Sequence, residues 1–95
     1  MAVITRIDLL KNRRTKIVAT IGPATSSRES IGRLIESGVN MFRLNMSHGD
    51  HDTHRSVFQN IKAMSASSRP VAVMADLCGP KIRTGRFVDG GIDLI

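Results

Sequence analysis

Ninety-five residues with 41% hydrophobic and 23% charged side chains describe one globular domain or a piece of one, since compact domains usually run to roughly 100–150 residues. Two full domains, a disordered chain and a fibrous repeat are excluded, and apolar runs such as Val71 to Ala75 fall far short of the roughly 20 residues that a membrane-spanning helix needs. The net charge of +6 points to an anionic partner, but with 3% aromatic residues and neither Trp nor Tyr little is available for stacking on single-stranded bases.

The opening residues, 1 to 14, form a basic lead-in: Arg6, Lys11, Arg13 and Arg14 are followed at once by Lys16. Apolar residues there alternate with charges, so no secretory signal is expected. The single cysteine, Cys78, agrees with a reducing cytoplasm. Lys16 to Ile21 is short, β-branched and stopped by Gly22-Pro23, which predicts a strand ended by a turn. Ser26 and Glu29 form a capping-box pattern, Ile31, Leu34 and Ile35 give an apolar helical stripe, and Gly38 suits a left-handed cap. A second strand is expected over Val39 to Ser47, broken by His48-Gly49. Asp50 or Asp52 caps a second helix with Val57, Ile61 and Met64 on one face, closed by Ser65 to Pro70. Val71 to Asp76 is the third strand.

The order β-α-β-α-β with helices of about a dozen residues predicts parallel strands joined by right-handed crossovers. An open doubly wound sheet and a segment of a (β/α)8 barrel both fit. Alternation on the second strand sends Phe42, Leu44 and Met46 to one face and Arg43, Asn45 and Ser47 to the other. A polar face at the C-terminal end of a parallel strand suits the mouth of a barrel, and Asp76 falls at the same level.

Arg43-x-Asn45-x-Ser47 with Asp76, followed by Lys81 and Arg83, therefore forms the central constellation. Amide, hydroxyl and carboxylate oxygens suit a cation, and guanidinium forks suit phosphate. Two readings stand: a rim where cations and phosphates meet, or an Arg43–Asp76 ion pair across neighbouring strands with Asn45 and Ser47 facing solvent. Neither Gly-x-x-x-x-Gly-Lys-Ser/Thr nor Gly-x-Gly-x-x-Gly is present. His48, His51 and His54 straddle a loop and a helix start without the partners of a zinc site. Cys78 carries no sign of an activated thiol.

Thr15 to Ala24 (Thr-Lys-Ile-Val-Ala-Thr-Ile-Gly-Pro-Ala), Phe42 to Gly49 (Phe-Arg-Leu-Asn-Met-Ser-His-Gly) and Asp76 to Gly85 (Asp-Leu-Cys-Gly-Pro-Lys-Ile-Arg-Thr-Gly) together resemble the pyruvate kinase family, from about Arg13 to Phe87. The resemblance implies an α/β fold: the first three β/α units of a (β/α)8 TIM barrel over residues 15–87, truncated at the start of an inserted β domain entered at 88–95. It implies phosphoryl transfer from phosphoenolpyruvate to ADP, giving pyruvate and ATP in glycolysis, in a cytoplasmic homotetramer without membrane or nucleic-acid partners. By the same resemblance Arg43 contacts the transferred phosphoryl group, and Asn45, Ser47, His48 and Arg83 contact nucleotide. Asn45, Ser47, Asp76 and the carbonyl of Leu77 form a monovalent-cation pocket.

Many members of that family read Asp-Thr-Lys-Gly-Pro-Glu where this chain reads Asp76-Leu77-Cys78-Gly79-Pro80-Lys81. The Leu77 and Lys81 pattern resembles the branch that works without K+, with the Lys81 ammonium in place of the ion. The family's phosphoryl-stabilising lysine and its Mg2+-binding Glu and Asp lie on later strands, so this chain is expected to be a fragment that is inactive alone. The alternative is a free-standing basic module that holds phosphates or nucleic acid without catalysis, which steep loss of affinity with salt distinguishes.

Overall fold

The computed structural model describes residues 6–95, with side chains from Asp8 onward; residues 1–5 of the basic lead-in lie outside the described part. The elements run α1 (Arg6–Asn12), β1 (Val18–Thr20), a 3-10 turn (Pro23–Thr25), α2 (Arg28–Ser37), β2 (Met41–Asn45), α3 (His51–Ala66), β3 (Ala72–Asp76) and a second 3-10 turn (Val88–Gly90). The strands form one parallel sheet in the order β1-β2-β3, as the β-α-β-α-β pattern predicts.

Both crossover helices cover one face of that sheet. Ile31 and Ile35 of α2, Phe42 and Leu44 of β2, and Val57 and Ile61 of α3 form the buried core, with Ala19 and Val73 packed against it from the outer strands. Ile31, Ile35 and Phe42 are fully buried. The opposite face carries no helix. Along it the register aligns Val18 with Met41 and Ala72, Thr20 with Arg43 and Met74, and Asn45 with Asp76. Val18 is 52% exposed and Met74 37%, so this face keeps apolar surface open near its lower end and polar groups at its C-terminal rim.

Several caps and strand starts lie a residue or two from their predicted positions. Ser27, not Ser26, caps α2: its hydroxyl accepts the Ser30 amide at 3.2 Å. Ser26 belongs to the preceding turn, its hydroxyl directed at the Pro23 carbonyl, and Thr25 Oγ1 accepts the Gly22 amide. Glu29 is then one place short of completing a capping box. Asp50, not Asp52, caps α3 through the Thr53 amide at 2.8 Å, while Asp52 pairs loosely with Arg55 on the surface. Strands β1 and β2 begin later than their apolar runs because Asn40 intervenes: its Oδ1 accepts both the Ile17 amide at 2.9 Å and Arg13 Nη2 at 2.6 Å.

The end of α2 is fixed by two arginines. Gly38 sits at φ +119°, its N–H returning to Leu34 and Ile35, a backbone conformation suited to glycine. Arg69 Nη2 donates to the carbonyls of Ile35 and Val39 at 2.6 Å each, and Arg13 donates to that of Gly38. Two guanidinium groups thus satisfy the orphan carbonyls at the negative end of the helix dipole. Helix α1 has only 7 residues, less than two full turns of about 3.6 residues each, and no element was expected there. Beyond Asp76 every residue is exposed, and the molecule measures 71 × 26 × 23 Å.

Candidate functional site

Arg43 leaves the middle of β2 on the helix-free face and spans all three strands. Its Nε donates to Asp76 Oδ2 at 2.9 Å, and Nη2 engages the same oxygen. On the other side Nη1 donates to Thr20 Oγ1 at 3.2 Å. The carboxylate reaches it because Asp76 stands one strand across and two residues further along, level with Asn45. The guanidinium is thereby fixed in direction at the rim, with its side chain 29% exposed and that of Asp76 46% exposed. A cation held this way is ready to meet phosphate oxygens without first having to be ordered.

Asn45 sits beside it at the strand end. Its Oδ1 accepts the Ser47 amide at 3.0 Å, the local turn that asparagine favours, and the His48 amide donates to the Asn45 carbonyl at 3.3 Å. The Met46 amide donates to the Asp76 carbonyl at 3.0 Å, carrying the sheet pairing past the end of β2. The structure therefore brings Arg43, Asn45 and Asp76 together. Ser47 is exposed in the turn that follows. Arg43 and Asp76 form the ion pair across neighbouring strands that the second of the two readings describes.

Next to the rim lies an open cavity of about 690 Å³ between the 22–26 turn, the end of β2 and the start of α3, lined by Thr20, Pro23, Asn45, His48, Thr53 and His54 among others. Its walls are mainly apolar, with Ile21, Leu44 and Val57 in the lining and the two imidazoles among the polar groups. The same turn that ends β2 delivers His48 to this cavity. At the start of α3 the Thr53 amide and hydroxyl hold the Asp50 carboxyl below the ordinary aspartate range, keeping it ionised at the positive end of the helix dipole.

Leu77, Lys81 and Arg83 are placed differently. All three are exposed, Leu77 at 78%. The Lys81 amide bonds to the Gly79 carbonyl at 3.0 Å around a turn with Gly79 at φ +64°. No hydrogen bond or ion pair joins the Lys81 or Arg83 side chain to Arg43, Asn45 or Asp76 among the described residues. Cys78 is also exposed there.

Fit to cations follows from the donor set. Among the described residues no three His, Cys, Asp or Glu side chains cluster. Of the oxygens expected to hold a monovalent ion, Asp76 Oδ2 accepts from Arg43 and Asn45 Oδ1 from the Ser47 amide. The positive charge at the rim is supplied by Arg43 itself. Thr20 as a partner of Arg43, and His54 as a partner of the His48 loop, escaped the sequence reading. A Thr-Ile-Gly-Pro strand end and a histidine one turn into a helix carry no signal without the register.

Known proteins add a family to this geometry. The family described as "Pyruvate kinase, barrel domain" matches residues 12–95. Pyruvate kinase of Corynebacterium glutamicum is 51% identical over 80 residues, 83% of this chain and 17% of that protein. The Dictyostelium discoideum pyruvate kinase is likewise 51% identical, over 84 residues and with 85% and 17% coverage. The crystal structure of Cryptosporidium parvum pyruvate kinase superimposes with a TM-score of 0.77 at 40% identity, covering 90% of this chain and 18% of that one. The chain thus spans about 17% of the length of the curated relatives it matches.

Proposed function

The chain belongs to the pyruvate kinase family, its strands and helices being first β/α units of that barrel, and from that premise we propose that it forms part of an enzyme transferring a phosphoryl group from phosphoenolpyruvate to ADP. The products are pyruvate and ATP. Residues 15–87 are the barrel portion, 1–14 a basic lead-in and 88–95 the entry to an inserted β domain, in a cytoplasmic enzyme that assembles as a homotetramer.

The observation that carries this reading is the Arg43 guanidinium, clamped between Thr20 and Asp76 at the C-terminal rim of a parallel sheet. Phosphoryl transfer asks a protein mainly to position reactants and to neutralise developing charge, and a fixed fork of N–H donors does both for phosphate oxygens. In this reading Arg43 binds the transferred group, while Asn45, Ser47 and His48 line the neighbouring nucleotide space. Arg83 joins them, and Lys81 supplies the positive charge that K+ provides in other members, once the segment after Asp76 folds back against the remaining barrel. Mg2+, when bound, neutralises phosphate charge, and its ligands lie outside this chain. The isolated chain is therefore expected to be inactive.

The test is a graft. Residues 12–95 replace the matching stretch of the C. glutamicum enzyme, and pyruvate release from phosphoenolpyruvate and ADP is assayed. An active chimera is expected, with Arg43→Lys losing about 10²-fold or more in kcat; a folded chimera that releases no pyruvate, or is indifferent to Arg43→Lys, counts against the reading. Activity that rises steeply with K+ over Na+ in the same chimera removes Lys81 from its assigned role.

A further inference from the structure

His54 lies one turn into α3, its amide bonded to the carbonyl of the N-cap Asp50 at 3.1 Å, so its backbone is fixed by the helix. Its Nε2 reaches back 2.6 Å to the carbonyl oxygen of His48. A carbonyl only accepts, so Nε2 carries the proton and donates. Between the two histidines the chain passes Gly49 at φ +75°, and a Cβ built there lies 3.4 Å from Nε2 and 3.5 Å from Cε1 of His54. The imidazole edge therefore packs beside the turn as well as bonding to it.

The consequence is a clamp on His48 from both ends. Its N–H donates to the Asn45 carbonyl at 3.3 Å and its C=O accepts from His54. With both backbone groups of His48 held, the base of its side chain is fixed at the wall of the cavity. Asp50 is tied to α3 by its own cap bonds, whereas the His48 carbonyl is tied to the helix by the His54 ring.

We propose that His54 is a positioning residue, which by donating Nε2–H to the His48 carbonyl sets the 46–50 loop and aims His48 at the nucleotide. The role of His48 rests on the nucleotide reading of the cavity; the clamp does not. A metal-ligand role for His54 is left without partners, since no metal-ligating cluster exists among the described residues. The chemistry predicts that a side chain with an amide N–H at similar reach substitutes for the imidazole, whereas one of equal bulk without a donor does not.

The full chain, 15N-labelled, tests this with His54→Gln and His54→Phe by NMR. Amide exchange at His48, Gly49 and Asp50 reads the clamp, and ADP titration followed at the His48 ring reads the consequence. His54→Gln is expected to match the wild type within about twofold in both. His54→Phe is expected to exchange faster at those amides and to bind ADP about 5–10-fold more weakly, the worth of one net hydrogen bond of about 1–1.5 kcal/mol. A His54→Phe chain equal to wild type in both readouts, or a folded His54→Gln chain as impaired as His54→Phe, overturns the proposal. If the clamp readout behaves as expected but no variant, wild type included, responds to ADP, the nucleotide reading fails and the positioning role with it, the clamp being left as a structural contact. Should a variant not fold, the wild-type imidazole decides alone: a His54 with its proton on Nδ1 overturns the clamp.

Discussion

Residues 18–76 and residues 77–95 obey opposite rules. In the first stretch the apolar side chains of Ile31, Ile35 and Phe42 are wholly buried. In the second, Ile82 at 101% and Leu94 at 93% are as exposed as in an unfolded chain. Composition does not explain this, because both stretches carry large aliphatic residues. The difference is that the first stretch holds its packing partners within itself, whereas every residue of the second is exposed. Arg43 is fixed because Thr20 and Asp76 grip it from both sides, whereas the Lys81 side chain is exposed.

Substitutions that grade this contrast begin in the core. Phe42→Ala is expected to destabilise the chain by about 3–5 kcal/mol, as large-to-small changes at fully buried aromatics do, and Ile82→Ala by less than about 0.5 kcal/mol. Urea unfolding followed by circular dichroism compares them, and equal losses would erase the distinction between the two stretches. Next comes Gly38→Ala, where the left-handed backbone and a Cβ lying 2.7 Å from Arg13 Nη1 act together. About 1–2 kcal/mol is expected from the backbone alone, accompanied by release of Arg13 from the Gly38 carbonyl.

Asp76→Asn separates folding from site geometry. The Arg43–Asp76 pair is partly exposed, so its loss is expected to change stability by no more than about 1 kcal/mol. In the grafted enzyme it should nonetheless lower phosphoenolpyruvate turnover, because the guanidinium loses the partner that aims it. The smallest effect concerns acid. The folded carboxyl of Asp50 titrates below its unfolded value, because the Thr53 N–H and hydroxyl bond to the charged form. Its contribution is thus fully present above the unfolded value of about 3.9 and fades as pH falls through the lower folded value. Helix α3 should fray at its first turn in that range, and Asp50→Asn, which keeps an accepting oxygen, should remove this pH dependence of the Thr53 amide shift.

Much of the fold was legible because it rests on local rules. The stripe of Ile31, Leu34 and Ile35, the glycine after it and the alternation of Phe42, Arg43, Leu44 and Asn45 each report short-range geometry, and the parallel sheet and the two faces of β2 follow from them. The exact cap was not legible: tandem serines at 26 and 27 satisfy the same rule, and the Pro23 turn determined which one remained. Helix α1 was too short for a periodic signal.

The sequence by itself determined which side chains share a strand face and where helices can start and stop, because alternation, capping and glycine freedom act over a few residues. Only the tertiary structure decided that Asp76 meets Arg43, that Thr20 completes the grip from the other side, and that His54 turns back to His48. Those contacts depend on strand register and on the path of a loop around a helix end, which are set by packing among segments far apart in the chain.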